Sequence, residues 1–96
     1  MILELATIDI IEGTNTSFEA NLKAAKLVIC KSKGFISIEV HHCIENQSRY
    51  VLFIKWETLE DHTILFRGSE LFVEWRALIG SFFEHPPMVQ HYSILE

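Results

Sequence analysis

The apolar residues of this chain recur at two spacings, which divide it into strands and helices. Alternation with a period of two predicts strands at residues 1–10, 35–43 and 50–57, and a short final strand at 88–95. Spacings of three and four residues predict helical segments in the two longer intervals between these strands. The predicted order of elements is therefore β-α-β-β-α-β.

The first predicted helix has a start signal and a stop signal. The spacing of Thr16 and Glu19 predicts a capping box, in which each side chain bonds to the backbone of the other residue. Gly34 supplies the stop. One face of this helix is expected to enter the core through the apolar side chains of Phe18, Leu22, Ala25 and Ile29.

Two further caps predict how the second half of the chain becomes helical. Thr58 is expected to begin a short helix that ends near Gly68. Ser69 is expected to begin another, which continues until Pro86-Pro87 breaks it. The second of these helices carries a broad apolar face, made of Leu71, Phe72, Trp75, Leu78, Ile79, Phe82 and Phe83.

This order predicts an α+β, ferredoxin-like βαββαβ fold, with an antiparallel sheet that carries both helices on one face. The other face of such a sheet is usually polar. Here the strand at 50–57 is apolar on both faces, with Tyr50, Leu52, Ile54 and Trp56 alternating with Val51 and Phe53. The strand at 35–43 is expected to place three apolar side chains on one face, Ile36, Ile38 and Val40.

The second apolar face predicts a partner. An exposed apolar patch of this size is unusual for a monomeric protein, so a second copy of the chain is expected to cover it in a two-fold homodimer. Surface hydrophobic residues without a partner are the alternative.

Composition limits what the chain can be. Its 96 residues suffice for one core, so a single domain spanning 1–96 is expected. Eight basic and 13 acidic side chains give a net charge of −5, which argues against nucleic acid and membrane surfaces as partners. No apolar run approaches the ~20 residues of a membrane span, and the first ten residues do not resemble a signal peptide. Cys30 and Cys43 form no CxxC motif, which favours a cytoplasmic location.

The segment from Arg49 to His62 is the strongest candidate for chemistry. It contains a buried strand that ends in Trp56, followed by a helix whose first turn carries His62. This places a large aromatic ring near a titratable imidazole at the end of a strand, where pockets tend to form. Trp75 follows on the apolar face of the next helix.

Three motifs resemble the antibiotic biosynthesis monooxygenase (ABM) domain family: W-E-T-L-E-D-H at 56–62, S-E-L-F-V-E-W at 69–75 and P-P-M-V-Q-H-Y at 86–92. The resemblance extends over nearly the whole chain. It implies the same βαββαβ unit, paired into a dimeric α+β barrel. It also implies oxygenation of phenols, quinols or polycyclic aromatics by dioxygen without flavin or metal, although other members degrade haem and many have no known activity.

Such chemistry requires a base, a dry aromatic pocket and a hydrogen-bond donor, because dioxygen reacts readily only with an electron-rich anion. His62 is the candidate base, since its unperturbed pKa lies near neutrality. Tyr92 could donate a hydrogen bond to a developing oxyanion. A flat substrate would pack against Trp56, Phe66, Phe72 and Trp75.

Each of these residues also has a structural alternative. His62 could lie on the exposed side of its helix, Trp56 and Trp75 could simply fill the core, and Tyr92 could serve dimer packing. His85 is expected in a loop and His91 on the outer face beside Tyr92.

Other kinds of site find little support. His41 and His42 are neighbours on a strand and point to opposite faces, and no further ligand accompanies His41 and Cys43, so no metal is expected. The pair Asp61-His62 with Ser69 lacks the glycine pattern of a hydrolytic elbow. The haem-degrading members have an asparagine on the first strand, where this chain offers Thr7.

Two function classes follow from these observations. The first is a cofactor-independent monooxygenase that acts on a small aromatic, phenolic or quinol substrate with dioxygen. The alternative is a non-catalytic dimer of the same fold that binds a small apolar ligand.

Overall fold

The computed structural model describes all 96 residues and confirms the predicted order of elements. The elements in chain order are β1 (Ile2–Asp9), α1 (Asn15–Ile29), β2 (Phe35–His42), β3 (Arg49–Trp56), a π-helix (Asp61–Phe66), α2 (Glu70–Ile79), a 3-10 turn (Gly80–Phe82) and β4 (Met88–Ser93). The predicted limits of each strand agree with the observed limits to within two residues.

The four strands form one antiparallel sheet in the order β2-β3-β1-β4. This is the ferredoxin-like α+β arrangement. The register places Glu4 of β1 directly between Ile54 of β3 and His91 of β4. Because side chains alternate along a strand, these three residues share the sheet face that α1 and α2 cover, which we call the inner face.

The core lies between the inner face and the two helices. All four predicted apolar residues of α1 are buried, as are Leu52, Ile54 and Trp56 of β3. No helix is both long enough and apolar enough to cross a membrane.

The start of α1 differs from the prediction. The helix begins at Asn15, so Thr16 and Glu19 lie within it and the expected capping box is wrong. Thr14 precedes the helix and its hydroxyl donates to the Ile11 carbonyl at 2.6 Å. Glu19 instead accepts a hydrogen bond from the Tyr50 hydroxyl, a long-range partner that a local motif does not reveal.

Both later caps are confirmed. The Ser69 hydroxyl oxygen accepts from the Phe72 backbone N–H at 3.4 Å, and that of Thr58 accepts from the Asp61 N–H at 3.2 Å. The helix that begins at Ser69 is shorter than expected, because α2 ends at Ile79 and the chain turns through Gly80–Phe82.

A β-bulge changes the expected face of β2. The register shifts between Phe35 and Ser37, which places Phe35 opposite Trp56 on the inner face together with Ile38. Ile36 is left 44% exposed, so the expectation that it shares a face with Ile38 is wrong.

The second face of the sheet, which we call the outer face, is apolar as the alternation predicted. Leu3 and Leu5 of β1 lie there beside Val51 and Phe53 of β3, and all four are only half-buried in the protomer.

Candidate functional site

A cavity of about 450 Å³ lies between the inner face of the sheet, the π-helix, α2 and the segment 80–87. This volume suits a small organic ligand. Its walls are mainly apolar and aromatic, and they include Ala6, Ile8, Leu52, Phe66, Phe72, Trp75, Ile79, Phe83, Pro86, Pro87 and Val89. Its polar lining consists of Glu4, His62, Arg67, Arg76 and His85.

The wall at 80–87 is held to the end of β1 by backbone and side-chain bonds. The Glu84 N–H donates to the Asp9 carbonyl at 2.8 Å, and the His85 ring lies 3.0 Å from the Asp9 carboxylate. Arg49 donates two hydrogen bonds to the same carboxylate, which lowers the pKa of Asp9. This segment is therefore anchored although it has little regular structure.

The π-helix brings His62 to the cavity. After the Thr58 cap, the Arg67 N–H bonds to the His62 carbonyl at 3.2 Å, the five-residue spacing that defines the wider π turn. Both His62 and Phe66 then point inward and line the cavity. The sequence predicted a helix here but not its kind.

Gly34 allows the π-helix to approach the sheet. Its φ of +82° favours glycine, and a Cβ atom at this position would lie 2.1 Å from the Asp61 carboxylate. The Asp61 side chain is buried against this glycine, with the exposed Lys33 ammonium 3.8 Å away. His62 is next in the chain, so this contact helps to fix its backbone.

A buried polar cluster, formed by Glu4, Trp56, His62 and His91, closes one end of the cavity. The Trp56 indole N–H donates to Glu4 Oε1 at 2.9 Å, and His62 Nε2 lies 3.3 Å from the same oxygen. On its other side, His62 Nδ1 is hydrogen-bonded to His91 Nε2 at 2.8 Å. The Trp56 ring also stacks on His62, with 5.2 Å between centroids.

Burial changes the proton affinities in this cluster. It raises the pKa of Glu4 to about 7, although the Trp56 hydrogen bond and the charge of Arg67 oppose the increase. Burial also lowers the pKa of His62 to about 3, with smaller contributions from Arg67 and His91. The pKa of His91 is lowered by burial and by Arg67. Near neutral pH both imidazoles are therefore neutral, and Glu4 is the group that titrates.

Four of the six predicted site residues line the cavity: His62, Phe66, Phe72 and Trp75. Trp56 does not line it. Its ring is fully buried behind His62 and Phe66, from where it holds the Glu4 carboxylate.

Tyr92 lies away from the cavity, which corrects its expected place in a pocket. It pairs with Leu3 and faces the outer side of the sheet, where its hydroxyl donates to Gln90 Oε1 at 3.0 Å. His91, expected on the outer face, points inward to His62. The β1–β4 register decides both positions, and sequence alternation left the choice of face open.

Glu4 was missed by reasoning from the sequence, although a signal was present. It shares the parity of Ala6, Ile8 and Ile10 in β1, so it is a lone acid on the buried face of an otherwise apolar strand. Such a residue needs a specific partner or a shifted pKa.

The polar pair on β2 lies apart from the cavity. As predicted, the two histidines occupy opposite faces: His41 bonds to Glu39 on the outer side, and His42 stacks on Tyr50 on the inner side. No group of three or more histidine, cysteine, aspartate or glutamate side chains is arranged to bind a metal ion.

Comparison with known proteins agrees with this fold. The family model described as "Antibiotic biosynthesis monooxygenase" matches residues 1–78. The chain is 40% identical over 93 residues to the uncharacterized protein YczJ of Bacillus subtilis, covering 97% of this chain and 98% of YczJ. It is 36% identical to a Bordetella bronchiseptica protein of the same family whose structure is solved. That alignment has a TM-score of 0.95 and covers 99% of this chain and 97% of the other.

Two Streptomyces structures share the fold at low identity. SnoaB of Streptomyces nogalater, a cofactor-independent oxygenase, has a TM-score of 0.78 at 9% identity. The alignment covers 99% of this chain and 93% of SnoaB. The monooxygenase ActVA-Orf6 of Streptomyces coelicolor, solved with nanaomycin D bound, also has a TM-score of 0.78, at 16% identity. That alignment covers 99% of this chain and 88% of ActVA-Orf6. The family match over most of the chain establishes that this protein belongs to the antibiotic biosynthesis monooxygenase family.

Proposed function

We propose that this protein is a cofactor-independent monooxygenase of small hydroxylated aromatic compounds, such as phenols or quinols, with dioxygen as co-substrate. One observation carries the proposal: an apolar cavity of about 450 Å³ ends in a buried cluster that contains a carboxyl group with a pKa of about 7. Family membership and the description of SnoaB as a cofactor-independent oxygenase support it.

The reaction needs no external reductant if the substrate has a hydroxyl group and an unsubstituted ring carbon para to it. Loss of the hydroxyl proton gives an anion that can transfer an electron to dioxygen, after which the radical pair combines at the para carbon. Loss of water then leaves a quinone. One phenol and one dioxygen thus give one quinone and one water, with all electrons supplied by the substrate.

The cavity provides what this sequence of steps requires. The rings of Phe66, Phe72 and Trp75 offer flat apolar surfaces against which an aromatic substrate can pack. Arg67 and Arg76 also line the cavity, and neither forms an ion pair, so their charges favour a substrate anion. His62 lines the cavity at the buried cluster, which is the end where we expect the hydroxyl proton to be taken up.

We also propose that the protein acts as a homodimer through its outer face and works in the cytoplasm. The half-buried cluster of Leu3, Leu5, Val51 and Phe53 supports the dimer, and the two free thiols of Cys30 and Cys43 suit a reducing compartment. Sedimentation should show a dimer for the natural sequence and a monomer for Phe53→Asp. A natural-sequence monomer at micromolar concentration would contradict the dimer.

Oxygen uptake with a panel of naphthols and dihydroxynaphthalenes tests the activity. The purified protein, dialysed against chelator, should consume one dioxygen per quinone formed. His62→Ala should lower the rate by about 10²-fold, because the buried cluster loses its central member and the remaining groups are no longer held in place. His42→Ala is the matched control, since that histidine is exposed, stacks on Tyr50 away from the cavity and lies outside the proposed dimer face, and it should leave the rate unchanged.

Two results would count against the proposal. Full activity of His62→Ala would remove His62, and the positioning of the buried cluster that it provides, from the mechanism. Thermal stabilisation by these compounds without oxygen uptake would instead favour the non-catalytic ligand-binding module.

A further inference from the structure

We propose that Glu4 is the catalytic base of this cavity: its Oε2 atom takes the hydroxyl proton of the bound substrate, while His62, held by His91, positions the carboxylate. The inference rests on the proposed function, because the hydroxylated aromatic substrate comes from there. It assigns the proton-accepting role to a residue on β1 rather than to the histidine that the sequence suggested.

The two oxygens of Glu4 have different surroundings. Oε1 accepts the Trp56 hydrogen bond and lies next to His62 Nε2. Oε2 has no hydrogen-bond partner in the protein. Every fully buried side-chain nitrogen or oxygen does have such a partner, so Oε2 is not among the fully buried atoms. Oε2 therefore retains some accessible surface, and the open space that Glu4 lines is the cavity. The residue as a whole is only 5% exposed.

His62 has no free nitrogen for a substrate. Nδ1 is hydrogen-bonded to His91 and Nε2 faces Glu4, so a substrate hydroxyl could reach either nitrogen only by displacing a protein partner. A neutral imidazole in this position can donate from Nε2 to the Glu4 carboxylate while Nδ1 accepts from His91. When Glu4 is protonated, Nε2 can instead accept from the carboxyl group while Nδ1 donates to His91. Both arrangements hold the carboxyl group in place, which makes His62 a positioning residue.

The charges that face Glu4 suit a reversible proton acceptor. His62 on the π-helix and His91 on β4 are neutral at neutral pH, which leaves Arg67 as the charged group near the carboxylate. With a pKa of about 7, Glu4 populates both its ionised and its protonated form under physiological conditions. A group of this kind can take a proton early in a reaction and return it later.

The proton and electrons balance in this scheme. The substrate O–H bond breaks, an O–H bond forms at Glu4 Oε2, and the electron pair stays on the substrate oxygen as an anion near Arg67. Oxygenation of that anion yields the quinone and a hydroxide ion. Protonated Glu4 then gives its proton to the hydroxide, which leaves as water and restores the carboxylate.

A phenol that cannot be oxygenated tests the proton transfer separately from turnover. The probe is 4-nitrophenol, whose anion is yellow and whose para position is blocked. Binding is followed by quenching of the tryptophan fluorescence, to which Trp56 and Trp75 both contribute, and the ionised fraction of the bound probe by its absorbance. The measurements use the full-length natural sequence, Glu4→Gln and His62→Gln. Glu57→Gln, which removes an exposed carboxylate outside the cavity, is the matched control.

The expected results differ in their pH dependence. If Glu4 and the probe share one proton, the ratio of yellow to colourless bound probe should change less than about twofold per pH unit on the acid side of neutrality. In Glu4→Gln the bound probe is a single titrating group, and its ratio should change about tenfold per pH unit. His62→Gln and Glu57→Gln should keep the shallow dependence of the natural sequence.

Turnover provides the second measurement. Glu4→Gln should lower kcat for an active naphthol by about 10²–10⁴-fold with a much smaller effect on KM, and Glu4→Asp should restore part of the loss. Glu4→Gln and Glu4→Asp both retain a side-chain oxygen that can accept from the Trp56 indole N–H, so both are expected to fold. Thermal unfolding verifies this.

The outcomes separate this inference from the proposed function. A shallow dependence that survives in Glu4→Gln but disappears in His62→Gln would overturn the inference and make His62 the acceptor. Failure of the natural sequence to bind or ionise the probe would overturn it too. If the probe behaves as expected but no naphthol consumes oxygen, Glu4 stands as the proton acceptor and the monooxygenase proposal fails.

Discussion

The two ends of β3 carry closely similar sets of side chains in different surroundings. At one end, the Tyr50 hydroxyl donates to Glu19 and His42 stacks on the ring with 4.3 Å between centroids. At the other, the Trp56 N–H donates to Glu4 and His62 stacks on the indole. Each set thus combines an aromatic donor on the inner face of the sheet, a glutamate acceptor and a stacked histidine.

What separates the two sets is the cover over them. Glu19 and His42 are exposed, because they lie in an open groove between α1 and the edge strand β2. Glu4 and His62 are 5% and 4% exposed, because the π-helix closes over that end of the sheet. Burial raises the pKa of Glu4 to about 7, so the covered set can serve acid–base chemistry. The comparison shows that residue types alone do not make a site.

The largest expected effect comes from Trp56. Trp56→Ala removes a fully buried ring and the hydrogen bond to Glu4, so the free energy of unfolding should fall by about 3–5 kcal/mol. Denaturant-induced unfolding measures this change. A loss below about 1 kcal/mol would show that the covered end of β3 is not tightly packed.

Two glycines test how closely each end is covered. Gly13 and Gly34 have φ values of +84° and +82°, but a Cβ atom would meet nothing within 4 Å at Gly13 and the Asp61 carboxylate at Gly34. Gly13→Ala should cost about 1–2 kcal/mol of stability from backbone strain alone. Gly34→Ala should cost a further 1–3 kcal/mol or so, because the π-helix must move. Equal costs in thermal or denaturant unfolding would mean that Asp61 shifts freely.

The pKa of Glu4 predicts a pH-dependent stability. The folded protein holds this proton up to about pH 7, whereas the unfolded chain releases it near pH 4.5, so the natural sequence loses stability as pH rises through that interval. Glu4→Gln lacks this loss, and its stability relative to the natural sequence should rise by up to about 3 kcal/mol between these pH values.

Chemical unfolding at several pH values measures the difference. Glu19→Gln is the comparison at the exposed end and should alter the unfolding free energy by less than about 1 kcal/mol. If the difference in unfolding free energy between Glu4→Gln and the natural sequence does not change with pH, the folded protein does not hold the Glu4 carboxyl group away from water.

The smallest effect is expected at Tyr50. Tyr50→Phe removes the hydroxyl that donates to Glu19 and accepts from Asn15, and the ring keeps its packing against Phe18. The expected loss is about 1 kcal/mol, since water can satisfy the exposed Glu19 and Asn15 keeps its hydrogen bond to the Gln47 carbonyl. A loss as large as that of Trp56→Ala would show that the two ends are equivalent in energy.

The sequence was sufficient for the elements because each has a local signal. Alternation in the strands, the spacing of Phe18 and Leu22 in α1, and the Ser69 cap all depend on near neighbours in the chain. Where a signal was ambiguous, the prediction failed. The capping box at Thr16 was overridden by the distant partner Tyr50.

For the candidate site, the sequence indicated the aromatic residues of the cavity wall but not how the polar residues are arranged beside them. Phe72 and Trp75 have helical spacing, Phe66 lies in the predicted helix before them, and all three line the cavity. His62 was singled out because a helix follows β3 directly. The sequence could not show that Glu4 and His91, far apart in the chain, meet at His62, because that contact depends on the strand order and the β1–β4 register.

The pattern of apolar residues alone therefore determined the βαββαβ order and the two apolar sheet faces, since hydrophobic periodicity is a property of neighbouring residues. Only the tertiary structure decided which polar side chains are shut away from water together. The proton affinity of Glu4 depends on the π-helix, β3 and β4, whose residues come close to it only in the folded chain.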